Sequence, residues 1–337
     1  AVAGNVDFNG DLDVDGTANL DIVDVDGAVN FAADVTYADG ADIITASAGT
    51  SNTRVGVNAG NSIASGGNYN VVVGDEAGTA LTTGDDNVAV GYGALATEDE
   101  QGRNVAIGRS ALNVLNAGGQ GYNVAVGYTA GAAVTTGTRN TFIGALAGVT
   151  TNTGSNNVAV GLQALYANTT ADNNTALGYL ALTANTTGDQ NTAIGQTSMD
   201  ANTTGRNNTA IGMTSLGANT TGDSNAAMGV NALASNTTSD NNTAIGTSAL
   251  YANTTAADNT AVGAYALDAN TTGASNTSVG SGSLTANTTG TLNIAMGVNA
   301  LAASTTGNNN TAIGTLALGA NTTADANTAV GSYALNA

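Results

Sequence analysis

One short motif recurs along most of the chain at a nearly constant spacing, and this repeat constrains the fold more than any other feature of the sequence. The glycine that ends Asn-Thr-Ala-Ile-Gly, or a close variant of it, occurs 17 times between Gly56 and Gly331, and 14 of the 16 intervals are 17 residues long. The other two, of 18 and 19 residues, follow Gly56 and Gly108 and indicate small surface insertions. A fixed period of this kind is typical of architectures in which each unit packs only on its neighbours.

Each position of the repeat has its own chemistry. We number the unit so that Asn is position 1 and Gly is position 5; position 3 is then nearly always Ala, position 4 always aliphatic or Met, and position 9 usually Leu. Positions 11 to 15 commonly spell Ala-Asn-Thr-Thr-Gly, as at Ala184–Gly188. Gly, Asn and Thr are poor helix formers, and the segments between them are too short for a stable helix. The pattern predicts a coil with a firm strand at positions 1 to 5 and a second strand, or a single tight turn, at positions 8 to 12.

Stacking explains how such short strands can be stable, because a strand that cannot bury its own side chains can pack on its copy. The sequence therefore predicts an all-β fold, a parallel β-solenoid (β-roll) of about 17 coils over residues 52–337. We expect a thin core made of the aliphatic column at position 4 and the Leu column at position 9. Strand alternation would direct the Ala of position 3 and the following Gly to the opposite face. Such a flat face suits packing against another chain, which predicts self-association, most simply as a homotrimer.

Asparagine at position 1 is present in all 17 copies. Its amide carries both donors and an acceptor, so identical side chains stacked one strand spacing apart can bond in a ladder. In the regular part of the chain the predicted structural ladder comprises Asn140, Asn157, Asn174, Asn191, Asn208, Asn225, Asn242, Asn259, Asn276, Asn293, Asn310 and Asn327. The glycines predicted to turn the chain after the strand include Gly144, Gly161, Gly178, Gly195, Gly212, Gly229, Gly246 and Gly263.

These repeats resemble those of two known groups of proteins. Asn-Thr-Ala-Ile-Gly followed by Ala-Leu-x-Ala-Asn-Thr-Thr-Gly, as at Asn174–Gly188, is similar to repeats of bacteriophage tail-fibre proteins. It also resembles a lengthened form of the Asn-Ser-Val-Ala-Ile-Gly repeat in the heads of trimeric autotransporter adhesins, which form a β-roll with shorter coils. The resemblance covers about residues 52–337. It implies a trimeric surface or virion fibre that meets a host-surface glycan or protein.

Residues 1–51 form a second, acidic segment with a different pattern. Val-Asp alternation interrupted by Gly10, Gly16 and Gly27 predicts short half-buried strands with glycine turns, a shaft-like segment ahead of the solenoid. Asp11, Asp13 and Asp15 match the first half of an EF-hand calcium loop, but Ile22 stands where the bidentate acid should be. A solvated acidic strand face is therefore favoured over a weak calcium site. No other cofactor is expected.

Composition excludes several classes of function. The chain has no His, Cys or Lys, which removes imidazole and thiolate chemistry, Schiff bases and the common transition-metal sites. With 25 acids against 5 arginines it lacks the basic footprint of nucleic-acid binding, and no apolar run is long enough for membrane insertion. Carboxylate catalysis is the remaining route to an enzyme. Its candidates fall at expected corners of the early coils: Asp75 and Glu76, Asp85 and Asp86, and Glu98, Asp99 and Glu100.

We therefore expect a non-enzymatic structural fibre protein, an extracellular or virion-surface rod that acts as a spacer or adhesin. A cell-surface filament subunit that polymerises head to tail is the first alternative. A polysaccharide depolymerase spike is the second and depends on the carboxylates above. The third is an ice-binding solenoid built on the repeated Thr-Thr corners, although adjacent threonines followed by Gly should point in different directions.

Overall fold

A computed structural model describes residues 48–100, 102–116 and 118–336, and within these ranges the chain is all-β. It contains 17 three-residue strands, one in each coil. Their bounds are β1 Thr53–Val55, β2 Val71–Val73, β3 Val88–Val90, β4 Val105–Ile107, β5 Val124–Val126, β6 Thr141–Ile143, β7 Val158–Val160, β8 Thr175–Leu177, β9 Thr192–Ile194, β10 Thr209–Ile211, β11 Ala226–Met228, β12 Thr243–Ile245, β13 Thr260–Val262, β14 Thr277–Val279, β15 Ile294–Met296, β16 Thr311–Ile313 and β17 Thr328–Val330. The described part of the chain contains no helix that could cross a membrane.

Each strand pairs in parallel with the strands before and after it in the chain. The register is constant: Thr192 faces Thr209, Ala193 faces Ala210 and Ile194 faces Ile211. Equivalent positions of the repeat therefore stack at every step, including the two steps that carry insertions. The predicted parallel β-solenoid with a 17-residue period is confirmed.

The second segment of the coil, left open between a strand and a turn, is a turn. Residues at positions 7 and 9 have left-handed backbones, as at Leu180 (φ 57°) and Leu182 (φ 53°), which an extended strand cannot accommodate. The amide of Ala181 donates to the carbonyl of Gly178 within the coil, and the amide of Leu182 donates to Ser198 of the next coil. Hydrogen bonds between coils thus continue through the turn, so its irregular backbone is paired like that of the strand.

The expected assignment of the two strand faces is wrong. From β2 to β17 the middle residue of each strand, usually Ala, is buried, whereas no residue at position 4 is buried. Ile143 and Leu177, for example, are 41% and 45% exposed. The core is formed by the Ala columns at positions 3 and 8, the Leu column at position 9 and the residues at position 12. Once Leu at position 9 fills the narrow interior, only a small side chain fits opposite it at position 3: Ala in most coils and Ser278 in one.

Phe142 shows that volume decides this choice. It is one of the few large residues at position 3, it is fully buried, and it lies where the position-9 residues of its own coil and of the coil before are both Gly. A Cβ atom on Gly148 would lie 2.5 Å from the Phe142 ring, and one on Gly131 would lie 2.8 Å from it. The phenyl ring therefore occupies space that two Leu side chains fill elsewhere.

The glycines of position 5 follow each strand with φ between 124° and 144°. A Cβ on Gly212 would lie 2.5 Å from the carbonyl oxygen of Gly229 in the next coil. Both the backbone conformation and this close approach of two backbones require glycine. This column is where the coils come into contact without side chains between them.

Candidate functional surfaces of the solenoid

The Asn residues of position 1 form a continuous column, buried in every coil except the one that holds Asn327. At all 16 steps the side-chain Oδ1 accepts a hydrogen bond from the backbone amide of the Asn in the next coil, with N···O distances between 2.8 and 3.1 Å. In most coils the Nδ2 group donates to the carbonyl of position 15, as Asn191 does to Gly205 at 2.8 Å. Most hydrogen bonds of this ladder join an Asn side chain to the backbone, whereas the sequence predicts bonds between Asn side chains.

A second Asn column, at position 12, was not predicted as a ladder. Eight consecutive coils carry it, and each Nδ2 group after the first donates to the Oδ1 of the preceding Asn; the distance is 2.8 Å from Asn219 to Asn202 and 2.9 Å from Asn236 to Asn219. The members are Asn168, Asn185, Asn202, Asn219, Asn236, Asn253, Asn270 and Asn287. The signal was in the sequence, because Asn begins the Asn-Thr-Thr stretch in each of these coils. The Asn-Thr-Thr-Gly composition is typical of an exposed turn, but the Asn side chain points inward and is fully buried.

The second column ends at Asn287. The next coil has Ser304 at this position, and both Asn287 Oδ1 and Ser304 Oγ are buried without a hydrogen-bond partner in the chain. A serine hydroxyl is too short to continue a ladder of amides. Both unpaired atoms therefore have one cause, the interruption of the position-12 ladder between Asn287 and Ser304.

The Asn-Thr-Thr corner shows why the two threonines behave differently. The hydroxyl of Thr186, the first of its pair, donates to the carbonyl of Thr203 in the next coil at 3.0 Å. Thr187, the second, is exposed. The two side chains thus diverge, and only one of them presents a regular row to solvent. This arrangement gives no support to ice binding at the corner.

The candidate catalytic carboxylates bond to neighbouring coils. Asp75 accepts from the amide of Val57 at 3.0 Å, and Glu76 accepts from the side chain of Asn58 at 2.9 Å. Asp99 accepts from the hydroxyl of Thr82. These three carboxylates therefore act as hydrogen-bond acceptors that join adjacent coils.

Asp85 and Glu100 are the two candidates that meet at one groove. It has a volume of about 200 Å³ and is also lined by Thr83, Gly102, Arg103, Gly119 and Gln120. Asp85 accepts from the amide of Asn68 at 2.7 Å. Arg103 forms an ion pair with Asp86 at 3.6 Å, and both of these side chains are half-exposed. The Arg103 guanidinium also lies over the ring of Tyr122. The groove offers polar contacts to a ligand at the surface.

Glu98 lies elsewhere. It is fully buried at position 12 of its coil, in the column that holds Leu81 and Leu115 in the adjacent coils. The three candidate groups are therefore not brought together as one catalytic centre. Among the described residues no group of three acidic side chains could hold a metal ion. Asp11, Asp13 and Asp15, the candidate calcium ligands, lie outside the described residues.

The outward face of the strands runs along all 17 strands. Positions 2 and 4 of β1–β17 point away from the core, and the 34 residues at these positions are Thr, Val, Ala, Ile, Leu or Met, without a charged side chain. We call this surface the strand face. It is uncharged in a chain whose net charge is −20: position 4 is aliphatic or Met in every coil, and position 2 is Thr in 10 of the 17 coils and aliphatic in the others.

Comparison with known proteins gives no match. No protein-family model, curated protein or solved structure matches the chain.

Proposed function

We propose that the chain is a non-enzymatic structural protein whose solenoid is a stiff spacer of defined length. The observation that supports it is the unbroken run of 17 strands in one register. At a strand spacing of about 4.8 Å the stack is about 80 Å long. Length is the property that all 17 coils share.

The contacts between coils support stiffness. Each coil is joined to the next through the strand, the turn and the position-1 Asn, so a bend at any step would break bonds on several sides of the coil. A typical intramolecular hydrogen bond contributes about 1 kcal/mol, and many act in parallel at every step. Stability then accumulates coil by coil, as expected for a quasi-one-dimensional protein.

The proposal extends to location and partners through the resemblance. Rods in tail fibres and adhesin heads stand on a virion or cell surface, and we propose an extracellular or virion-surface position for this chain. A host-surface glycan or protein is the partner class that this position implies. The polar groove at Asp85, Glu100 and Arg103 is the first surface at which to look for it.

The experiment changes the length of the rod by whole coils. Deletion of Asn191–Asn241 removes three repeats and joins position 17 to position 1, so every inter-coil contact can re-form. Small-angle scattering should show a folded rod shortened by about 14 Å. The control, deletion of Asn191–Leu233, leaves a fraction of a coil and should unfold locally at the junction. A spacer role is refuted if the intact chain is compact rather than elongated, or if release of sugar from surface polysaccharides shows an enzyme.

A further inference from the structure

The strand face differs from ordinary solvent-exposed surface in its composition. Position 4 is aliphatic or Met in all 17 coils, although residues there are as exposed as Leu177 (45%), Met228 (47%) and Ile313 (39%). Contact with water gives a solvent-facing column no reason to stay apolar through 17 copies. Other outward columns of the same coils vary freely; position 6 holds Tyr179, Gln196 and Met213 in successive coils.

The size of the face points to a protein interface. It is about 80 Å long, and two outward residues of a strand with their side chains make it about 10 Å wide, which gives about 800 Å². The position-4 column, aliphatic or Met throughout, makes up about half of this area. The whole face, about 800 Å², equals what each partner buries in an interface of standard size.

We propose that the strand face binds the strand face of a second copy of this chain. The reason for a second copy is the pitch. Thr192, Thr209 and their equivalents repeat once per strand spacing, and so do Ile194 and Ile211. Side chains can interdigitate along the whole length only with a surface of the same repeat, as in the dry interfaces between stacked sheets. A second copy of this chain has that repeat over the same number of strands.

The distribution of charge agrees with this pairing. The acids of the late coils lie away from the strand face; Asp189, Asp223 and Asp240 occupy position 16, at the corner before the strand, and bond to backbone amides of adjacent coils. Repulsion between two chains of charge −20 is thus kept off the contact itself. Because each chain has one strand face, contact between two such faces joins two chains; the expected trimer depended on an Ala/Gly face, and the Ala column of that face lies inside the core.

The test measures mass with substitutions on the strand face. Ile194→Lys with Ile211→Lys places two ammonium groups in the centre of the interface. The matched control, Thr187→Lys with Thr204→Lys, adds the same charge in neighbouring coils at an exposed corner. Sedimentation equilibrium of the full chain should give twice 32.5 kDa for the wild type and the control. The face variant should dimerise at least about 100-fold more weakly, because charges buried without partners cost several kcal/mol.

A third variant, Ile194→Thr with Ile211→Thr, keeps β-branched side chains and should fold with weakened association, which protects the test if lysine disturbs the strands. Far-UV circular dichroism reports the fold of each variant. An interface of this area is expected to have a dissociation constant in the micromolar range or below. A wild-type mass of one chain at concentrations up to about 50 µM would therefore overturn the proposal. So would a mass of three chains, or equal association of the face and control variants. The spacer function would survive each of these outcomes, since a monomeric rod keeps its length.

Discussion

The coils before and after about residue 160 have the same backbone but fill it differently. In the late coils a small residue at position 3 lies opposite Leu or Met at position 9, and Asn at position 12 bonds to its neighbours, as at Ala210, Leu216 and Asn219. In the early coils position 9 is often Gly, and the missing volume is supplied from position 3 or position 12, as by Phe142 and Leu81. The comparison teaches that the backbone fixes the total volume of a coil, while the sequence can distribute that volume among three columns.

The largest expected effect comes from removing Phe142, the side chain that fills the interior of an early coil. Phe142→Ala should lower the free energy of unfolding by about 4 kcal/mol, because the ring is fully buried and its two neighbours at position 9 are glycines that cannot fill the cavity. Urea denaturation followed by circular dichroism measures the change.

Residues of the late coils, placed at the same positions, should restore the stability that Phe142→Ala removes. Phe142→Ala combined with Gly131→Leu and Gly148→Leu restores the small residue at position 3 and Leu at position 9, and both glycines already have the left-handed φ that Leu165 adopts. More than half of the lost stability should return. Gly148→Leu alone should destabilise the protein, because its Cβ would lie 2.5 Å from the Phe142 ring. A triple variant no more stable than Phe142→Ala would show that the columns do not share one volume.

The second Asn column distinguishes the late coils. Asn219→Leu gives the late column a residue that the early column holds at Leu81 and Leu115. The substitution should lower the free energy of unfolding by about 3 kcal/mol, because it removes three hydrogen bonds of the Asn219 side chain. These bonds join it to the Oδ1 of Asn202, the Nδ2 of Asn236 and the carbonyl of Gly222. Thr221→Leu, at an exposed position two residues away, is the control and should change stability by less than about 0.5 kcal/mol. Equal urea midpoints for the two variants would contradict a stabilising role for the ladder.

How far the sequence predicts this fold depends on the kind of information each column holds. The period, the strand and the need for Asn at position 1 and Gly at position 5 follow from repetition, since a fixed spacing must become a fixed register. The inward face did not follow, because Thr-Ala-Ile has apolar residues of both parities and alternation cannot rank them. Interior width decides, and it is set by Leu182 and its equivalents, four residues beyond the strand glycine. The inward orientation of Asn185 does not follow from the sequence either, since Asn-Thr-Thr-Gly has the composition of an exposed turn.

Restoring the ladder where it breaks should stabilise the late coils. Ser304→Asn continues the column between Asn287 and Asn321 and gives the unpaired Oδ1 of Asn287 a donor. We expect a gain of about 1–2 kcal/mol, the cost of one or two buried polar atoms without partners. Thermal unfolding of the variant against wild type measures it. Ser304→Ala separates the two effects, because it removes the unpaired hydroxyl without supplying a donor and should recover less.

The smallest expected effect is a pH dependence at Asp200, in the late coils. Partial burial raises the pKa of this carboxyl above 3.8, and a hydrogen bond to the backbone opposes the shift. The folded chain therefore keeps this proton to higher pH than the unfolded chain. Its contribution to stability is fully present below the unfolded pKa and is lost as the pH rises through the folded pKa.

Asp200→Asn removes this titration. The variant should gain stability relative to wild type as the pH rises from about 3 to about 6, by less than about 0.5 kcal/mol because solvent screens the partly exposed site. Urea midpoints over this pH range measure the difference. Parallel profiles for the two chains would show that Asp200 does not titrate differently on folding.

The constant register has a consequence for how such a chain can change through its gene. Because each position meets the same set of positions in the next coil, duplication or loss of a whole repeat by recombination joins backbones that already fit. An exchange of another length keeps the register only if its extra residues lie outside the strand, as they do in the 18- and 19-residue intervals. Rod length is therefore a heritable quantity that varies in steps of one coil, open to selection separately from the sequence of the coils themselves.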